Sequence, residues 1–309
     1  MNKDARCAAD HQYERDNMKN RPFKQVDVFT NVRFKGNPVA VVLDADGLSS
    51  EQMQQIANWT NLSETTFVVP VTEPGADYHV RIFTPNAELP FAGHPTIGTA
   101  HALLEAGLIQ ARNGALLQQC RAGLVKLAVA RGQDGAQWIS FDLPEPKLTA
   151  LDVAQTEELE RLLGSPVQRQ FPPCVVDVGP RWVVAQLPSA VTVLAVQADF
   201  QHMKGRNAAD GHTGVVIFGA HEQGAGATIE IRAFAPAHGV NEDPVCGSGT
   251  GSVGAFIRHS GQIQRFGGDF LASQGAVVGR AGVLRLVLNE QTVRVGGNAV
   301  TCVNGEVAA

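Results

Sequence analysis

The chain has 309 residues, 44% hydrophobic and 18% charged, with a formal net charge of −5; this describes a globular protein with room for a large core and about two domains. A negative balance without any block of lysine or arginine excludes the basic footprint that a nucleic acid or an anionic membrane requires. The five cysteines, Cys7, Cys120, Cys174, Cys246 and Cys302, form an odd set with no C-x-x-C pair, which argues against a zinc ribbon or a disulfide framework and fits reduced thiols in a cytoplasmic protein.

Residues 1–20, MNKDARCAADHQYERDNMKN, are polar and mixed in charge, and no apolar segment follows a basic start. They predict a disordered extension and no secretory signal, with Met18 a candidate natural start. The fold signal begins at Phe23: KQVDVFT reads as a strand, Gly36-Asn37-Pro38 as a turn and VAVVL as a second strand. SSEQMQQIANWT carries an N-cap serine, an early acid and apolar residues at helical spacing (Met53, Ile56, Ala57). Asn61-Leu62-Ser63-Glu64 reads as a loop feeding the β-branched strand TTFVVP. The strand YHVRIFT and a turn at 85–88 come next, then a glycine-rich turn in PFAGHPTIGTAHALLEAG that opens a small-residue helix ending near Gly107. Short strands continue to about residue 145, and TEELERLLG predicts a helix over Thr156–Gly164. The longest uncharged stretch, 182–198, is broken by Gln186, Pro188 and Ser189 and makes a poor membrane span.

The second half repeats the grammar of the first. VRIFTP at 80–85 matches IRAFAP at 231–236, aligning Arg81 with Arg232, Phe83 with Phe234 and Pro85 with Pro236. Each motif precedes a glycine-rich turn that opens a small-residue helix, FAGHPTIGTAHAL in one half and VCGSGTGSVGAFI in the other, with Gly93 matching Gly247 after a three-residue insertion. This pattern predicts an internal duplication, two α/β halves facing one another. It also bears on Gly249-Thr250-Gly251-Ser252-Val253-Gly254, which spells G-x-G-x-x-G. A dinucleotide fingerprint follows a strand directly and carries an acid about 20 residues on; here NEDPVC precedes it and LASQGAVV lies at that distance.

Two helix starts face to face make an electropositive slot from backbone N–H groups alone, suited to a carboxylate or to charge developing during proton abstraction. The plainer reading is that the glycines only allow tight turns. The repeated pair carries His94, Asp243, Cys246 and Ser248, which favours a site.

VDVFT…GNPVAVV, NLSETTFVV, FTPNAELPFAGHPTIGTA and NEDPVCGSGTGSVGAF resemble the PhzF-like proteins of the phenazine-biosynthesis family, within the wider diaminopimelate epimerase and proline racemase group. The resemblance runs from about Phe23 to the C-terminus. It implies an α+β fold of two pseudo-symmetric α/β domains of the diaminopimelate-epimerase type, each a barrel-like sheet around a central helix, with the site in the cleft between them. The corresponding division is 21–137 and 138–296, with the C-terminal strand 297–309 returning to the first half. The resemblance also implies an isomerase with no cofactor and no metal, a small carboxylic acid as substrate and a homodimer. The best-understood members shift a proton within a dihydro-3-hydroxyanthranilate. Matched residue by residue, Glu64 corresponds to the acid/base that moves the proton. His94 and Asp243 correspond to polar residues around the substrate, and Ser63, Gly93, Gly247 and Ser248 fall among the residues that hold it.

The chemistry of these residue types agrees. A proton shuttle needs one group that takes a proton and returns it elsewhere, and a carboxylate whose pKa is raised by desolvation does so near neutral pH. Glu64 sits in an uncharged setting, although a surface acid before a strand reads equally well from the residues alone. His94 opens a helix whose dipole disfavours imidazolium; packing or capping is its plainer role. Asp243 reads either as a helix cap or as an orienter of His94 or substrate.

One departure stands out. Thiol-dependent epimerases of the wider group use two cysteines on opposite substrate faces, whereas this chain has Cys246 in one half and Ala92 at the matching position in the other. Phenazine-type members generally carry threonine at the position of Cys246. A thiol at a helix N-terminus is expected to have a lowered pKa and would serve as a possible second acid/base; the plainer reading is a small buried thiol in place of threonine. His94 and His101 lack zinc-site spacing, Ser248 does not sit in a G-x-S-x-G elbow, and Arg181 reads as exposed. Three functions follow in order: a cofactor-independent isomerase of a small cyclic or unsaturated carboxylic acid; an amino-acid epimerase, racemase or dehydratase using Cys246 with Glu64; and a catalytically silent binding protein on the same fold.

Overall fold

The computed structural model describes residues 19–132 and 135–309. The expected extension up to Met18, and Cys7 within it, lie outside the described residues. The first part of the chain forms β1 (Asn20–Val28), β2 (Asn37–Val42), α1 (Ser50–Thr60), β3 (Glu64–Val69), β4 (Tyr78–Phe83), β5 (Glu88–Leu89), α2 (Gly93–Glu105), β6 (Ala115–Cys120), β7 (Gly123–Arg131) and β8 (Gln137–Asp142). The second forms β9 (Lys147–Ala150), α3 (Val153–Leu163), β10 (Cys174–Asp177), β11 (Arg181–Gln186), α4 (Ala190–Ala195), α5 (Phe200–Asp210), β12 (Gly214–Ala220), β13 (Ile229–Ala235) and β14 (Val240–Asp243). It continues through α6 (Gly247–His259), α7 (Ile263–Phe266), β15 (Asp269–Gln274), β16 (Gly282–Leu288), β17 (Val293–Gly297) and β18 (Ala299–Ala308).

Local signals account for most of the boundaries. Ser49 caps α1 in a reciprocal box with Gln52, and Asn61 ends it in the left-handed region. Asp152 and Gln155 make the same box for α3, so that helix begins at Val153, three residues before the predicted start. Two other expectations shift by a few residues. Asn37 opens β2 instead of lying in a turn, and Glu64 opens β3 instead of closing a loop.

The pairing of strands has an internal symmetry. From one edge the ladder runs β18-β1-β2-β3-β4-β6-β7-β8, crosses through the antiparallel β8–β17 pair, and continues β17-β16-β15-β13-β12-β11-β10-β9. Parallel pairs fall at equivalent places, β2/β3 and β4/β6 on one side, β11/β12 and β13/β15 on the other. The short β5 and β14 hang as hairpins on β4 and β13. The chain leaves β8 to place β9 beside β10, and leaves β17 to place β18 beside β1.

The helices α2 and α6 are the two that this frame wraps most tightly. The first lies against β1, β2, β3, β8 and β18, the second against β10, β11, β12, β16 and β17. Nearly every residue from His94 to Leu103 and from Gly249 to Ile257 is buried, so small residues are needed on all sides. A Cβ on Gly98 would lie 2.4 Å from the Val39 side chain, one on Gly251 2.4 Å from Leu143, and one on Gly254 2.9 Å from Leu286. The G-x-G-x-x-G spacing is thus a packing requirement. The Asn241-Glu242-Asp243 segment before it, read from sequence as no strand, belongs to β14. That strand pairs antiparallel with its neighbour and does not feed a dinucleotide-type crossover. Among the described residues, no helix is long and apolar enough to cross a membrane.

Candidate active site

The N-termini of α2 and α6 meet. A Cβ added to Gly247 would lie 3.1 Å from the Phe29 ring and 3.8 Å from the backbone nitrogen of His94. A Cβ on Gly93 would lie 2.8 Å from the Phe141 ring. Glycine at both positions therefore allows the two helix starts to approach one space.

Around that point the frame gathers side chains from both halves. Glu64, on the first residue of β3, keeps 15% of its side chain open, and its Oε2 lies 3.4 Å from Nε2 of the buried His94. Among the described residues neither atom has a hydrogen-bond partner. Burial, with the nearby Asp243 second, pushes the Glu64 carboxyl up to about 8. Burial drives His94 down to about 3, opposed by its bond to the Pro38 backbone. Proline has no N–H, so His94 donates that bond to a carbonyl. With Nε2 unpartnered, Nδ1 carries the proton, and a bare Nε2 lone pair faces Glu64. The direction matches the dipole expectation for a helix-opening histidine, but its cause is burial.

The opposite wall comes from the second half. Asp243 Oδ1 accepts from the Val245 N–H at 3.0 Å and from Asn37 Nδ2 at 3.1 Å. Burial raises its carboxyl to about 6. Asp243 is not the cap of α6; Cys246 is, its Sγ accepting from Gly249 N at 3.3 Å. The expected low thiol pKa is reversed. Burial first and Asp243 second push Cys246 well above its ordinary value, and the thiol donates to Asp243. The partial charge of a helix start does not offset removal from water beside a carboxylate. Ser248 Oγ lies 3.6 Å from that sulfur and accepts the indole N–H of Trp182 at 3.0 Å. Because Trp182 fills an acceptor position on Ser248, the serine proton remains available to donate.

Glu64, Ser63, His94, Asp243, Cys246, Ser248, Gly93 and Gly247 are all brought together here. Three further residues have no local signal in the sequence. Asn37, 1% exposed, bridges the halves. Trp182 holds Ser248. Gln274 donates to the Asp243 carbonyl at 2.8 Å and accepts from Cys246 N at 3.0 Å. Arg181 lies elsewhere, exposed, with its guanidinium on the Gly211 carbonyl. Among the described residues, no group of three or more His, Cys, Asp or Glu is arranged to hold a metal ion.

The sequence model of the family described as Phenazine biosynthesis-like protein matches residues 26–305. The chain belongs to this family. Antisense-enhancing sequence 1 of Schizosaccharomyces pombe is 44% identical to it over 297 residues, covering 94% of this chain and 99% of that protein. The trans-2,3-dihydro-3-hydroxyanthranilate isomerase of Pseudomonas chlororaphis is 36% identical, with coverage of 91% and 97%. The crystal structure of a Bacillus anthracis phenazine biosynthesis protein of the PhzF family superposes with a TM-score of 0.81 at 25% identity, covering 94% of this chain and 99% of that one. With isomerases of this family among its relatives, the chain is an enzyme of the isomerase class, built on the family's α+β fold.

Proposed function

We propose that this enzyme moves a proton within a small cyclic or unsaturated carboxylic acid of the dihydro-3-hydroxyanthranilate kind, without a cofactor, and that Glu64 carries the proton. The observation that carries this reading is the Glu64–His94 pair, 3.4 Å apart with both facing atoms unpartnered, beside two converging helix starts. The Pseudomonas relatives named for that isomerisation, at 36% and 37% identity, support the substrate class.

Near neutral pH the raised carboxyl is mostly protonated, and its ionised minority is a stronger base than an exposed carboxylate. That carboxylate takes a proton from an activated carbon. The electron pair left behind moves through the adjacent double bond, and Glu64 returns the proton at the far end. Nothing is gained or lost. His94 Nε2, held bare by the bond to Pro38, accepts the Glu64 proton in a hydrogen bond as the side chains tighten on substrate. The N–H groups that open α2 and α6, with the Ser248 hydroxyl, meet the substrate carboxylate and the charge that develops during transfer.

The test is solvent-deuterium incorporation into trans-2,3-dihydro-3-hydroxyanthranilate and a panel of related cyclic acids. Incorporation that Glu64→Gln abolishes is the expected result. Incorporation undiminished in that variant removes Glu64 from the role. A homodimer, implied by the family resemblance, belongs to the same proposal and is tested by sedimentation.

A further inference from the structure

Asn37 spans the two halves at the site. Its Nδ2 donates to Asp243 Oδ1 at 3.1 Å and to the Val245 carbonyl at 2.9 Å, and its Oδ1 faces the Ser63 hydroxyl at 3.4 Å. Two acceptors on one side and a hydroxyl donor on the other fix the amide orientation, since a flipped amide would set its oxygen against two oxygens. The side chain thus ties Ser63, next to Glu64, to the turn of the other half that carries Asp243 and Cys246. The equivalent position in the second half is Pro180, which has no amide to offer.

We propose that Asn37 is a positioning residue that holds the Asp243 carboxylate in place across from Glu64 and, through it, sets the protonation of Glu64. The groups facing Asp243 are few. From its own turn come the Val245 N–H, the Cys246 thiol and Glu242. Glu242, held in a two-point contact by Arg232, adds to the rise of the Asp243 pKa. From the first half come Asn37, Glu64 and the uncharged His94. Gln274 touches only the Asp243 backbone. Among the side chains of the first half, Asn37 therefore supplies the donor that favours ionised Asp243, and ionised Asp243 in turn disfavours ionisation of Glu64. Removing the amide has opposite effects on the two acids. Asp243 loses a donor to its charged form and its pKa rises; Asp243 then carries less charge, and the pKa of Glu64 falls.

This inference rests on Glu64 as the proton carrier only for its functional meaning, because the test needs no substrate. Carboxyl carbons of Glu64 and Asp243 are titrated by carbon-13 NMR in the substrate-free enzyme. In Asn37→Ala the Asp243 midpoint is expected to rise and the Glu64 midpoint to fall, each by about one pH unit. In an Asp243→Asn background, Asn37→Ala should leave the Glu64 midpoint unmoved. Asn37→Ser, too short to span the gap, replaces the alanine variant if that one does not fold. A Glu64 midpoint unchanged in the folded variant overturns the proposal, and so does one that moves equally in the Asp243→Asn background. Midpoints that move as expected while no acid exchanges deuterium would leave this inference standing and remove the proposed reaction.

Discussion

Superimposing one half of the ladder on the other in register gives two copies of one frame with different chemistry. Arg81 pairs Glu88 in a two-point contact beneath the Phe83 ring, and Arg232 does the same with Glu242 and Phe234. From those glutamates the chain reaches Gly93 and Gly247 in equal steps, so the three-residue insertion falls earlier, in the 3-10 turn Pro236–His238. Equivalent positions then diverge. Glu64 corresponds to Gly214, His94 to Ser248, Leu89 to Asp243, Ala92 to Cys246, and Val39 to Trp182. At Gly214 a Cβ would lie 2.0 Å from the Phe234 carbonyl, so the second half has no room for a counterpart of Glu64. The repeated frame presents two helix starts at one point. Among the described residues, the acid–imidazole pair with unpartnered facing atoms lies on one side and a hydrogen-bonded cluster on the other. Inversion at carbon needs acid and base on opposite faces, whereas moving a proton along one molecule needs one carrier on one face. The asymmetry favours the second.

The sharpest way to break this comparison is to remove Glu64, the proposed one-sided carrier. Glu64→Gln is expected to lower deuterium exchange by about 10²–10⁴-fold, the usual contribution of a positioned acid/base. It should also stabilise the protein. The folded pKa of Glu64, about 8, lies above its ordinary 4.5, so between those values the native state holds a proton that the unfolded chain has released. Stability supplied by this group is lost as pH rises through that window, at up to about 1.4 kcal/mol per pH unit. The variant's advantage in urea unfolding should thus be near zero below pH 4.5 and grow toward pH 8. His94 runs the other way. Its folded value of about 3 lies below 6.5, so the gain from His94→Gln should grow as pH falls from 6.5 to 3. Parallel curves for parent and variants would show that neither group is held as described.

The duplicated arginines sharpen the comparison next. Arg232 and Glu242 keep 4% and 6% of their side chains open, against 24% and 20% for Arg81 and Glu88. Arg232→Met leaves a buried carboxylate unpaired beside Asp243 and is expected to cost about 3–5 kcal/mol. Arg81→Met should cost about 1 kcal/mol, as for a pair close to the surface. Chemical denaturation of both variants measures the difference; equal costs would mean that the two frames are buried alike. A smaller effect belongs to Trp182→Phe, which keeps the ring and removes the N–H held by Ser248. Loss of that one bond should cost about 1 kcal/mol, seen as a rise in KM with little change in kcat.

Much of this arrangement is legible in the amino-acid sequence. The R-x-F-x-P repeat and the glycine-opened helices mark the equivalent positions of the ladder because each is a local pattern tied to a local need. An N-cap serine ahead of an early acid marked the start of α1 for the same reason. Glu64 and His94 were found through motif resemblance, with burial supplying the physical ground for their shifted pKa values. Asn37 read as a turn residue, because its partners lie 206 and 208 positions away. Trp182 stayed hidden behind Arg181, its exposed neighbour. Gln274 gave no signal at all, since its two bonds go to backbone atoms across the ladder. Contacts made by strand register at long separation leave no trace in local composition.

The smallest effect is expected at the position that most invites a larger one. Cys246 sits at a helix start, which lowers a thiol's pKa when water can reach it, and it lies opposite Glu64. Yet Cys246 is 5% exposed, and its sulfur accepts from Gly249 N at 3.3 Å and donates to Asp243, so its valences are used and its proton is retained. A threonine hydroxyl can make the same two bonds and is a better helix cap than a thiol. Cys246→Thr should therefore change deuterium exchange by less than about threefold, and the parent thiol should alkylate slowly at neutral pH. Exchange reduced a hundredfold in Cys246→Thr, with the fold intact, would place a second acid/base in the second half. One carrier on one face would then give way to two on opposite faces, and the divergence between the halves would have to be read as a division of acid from base.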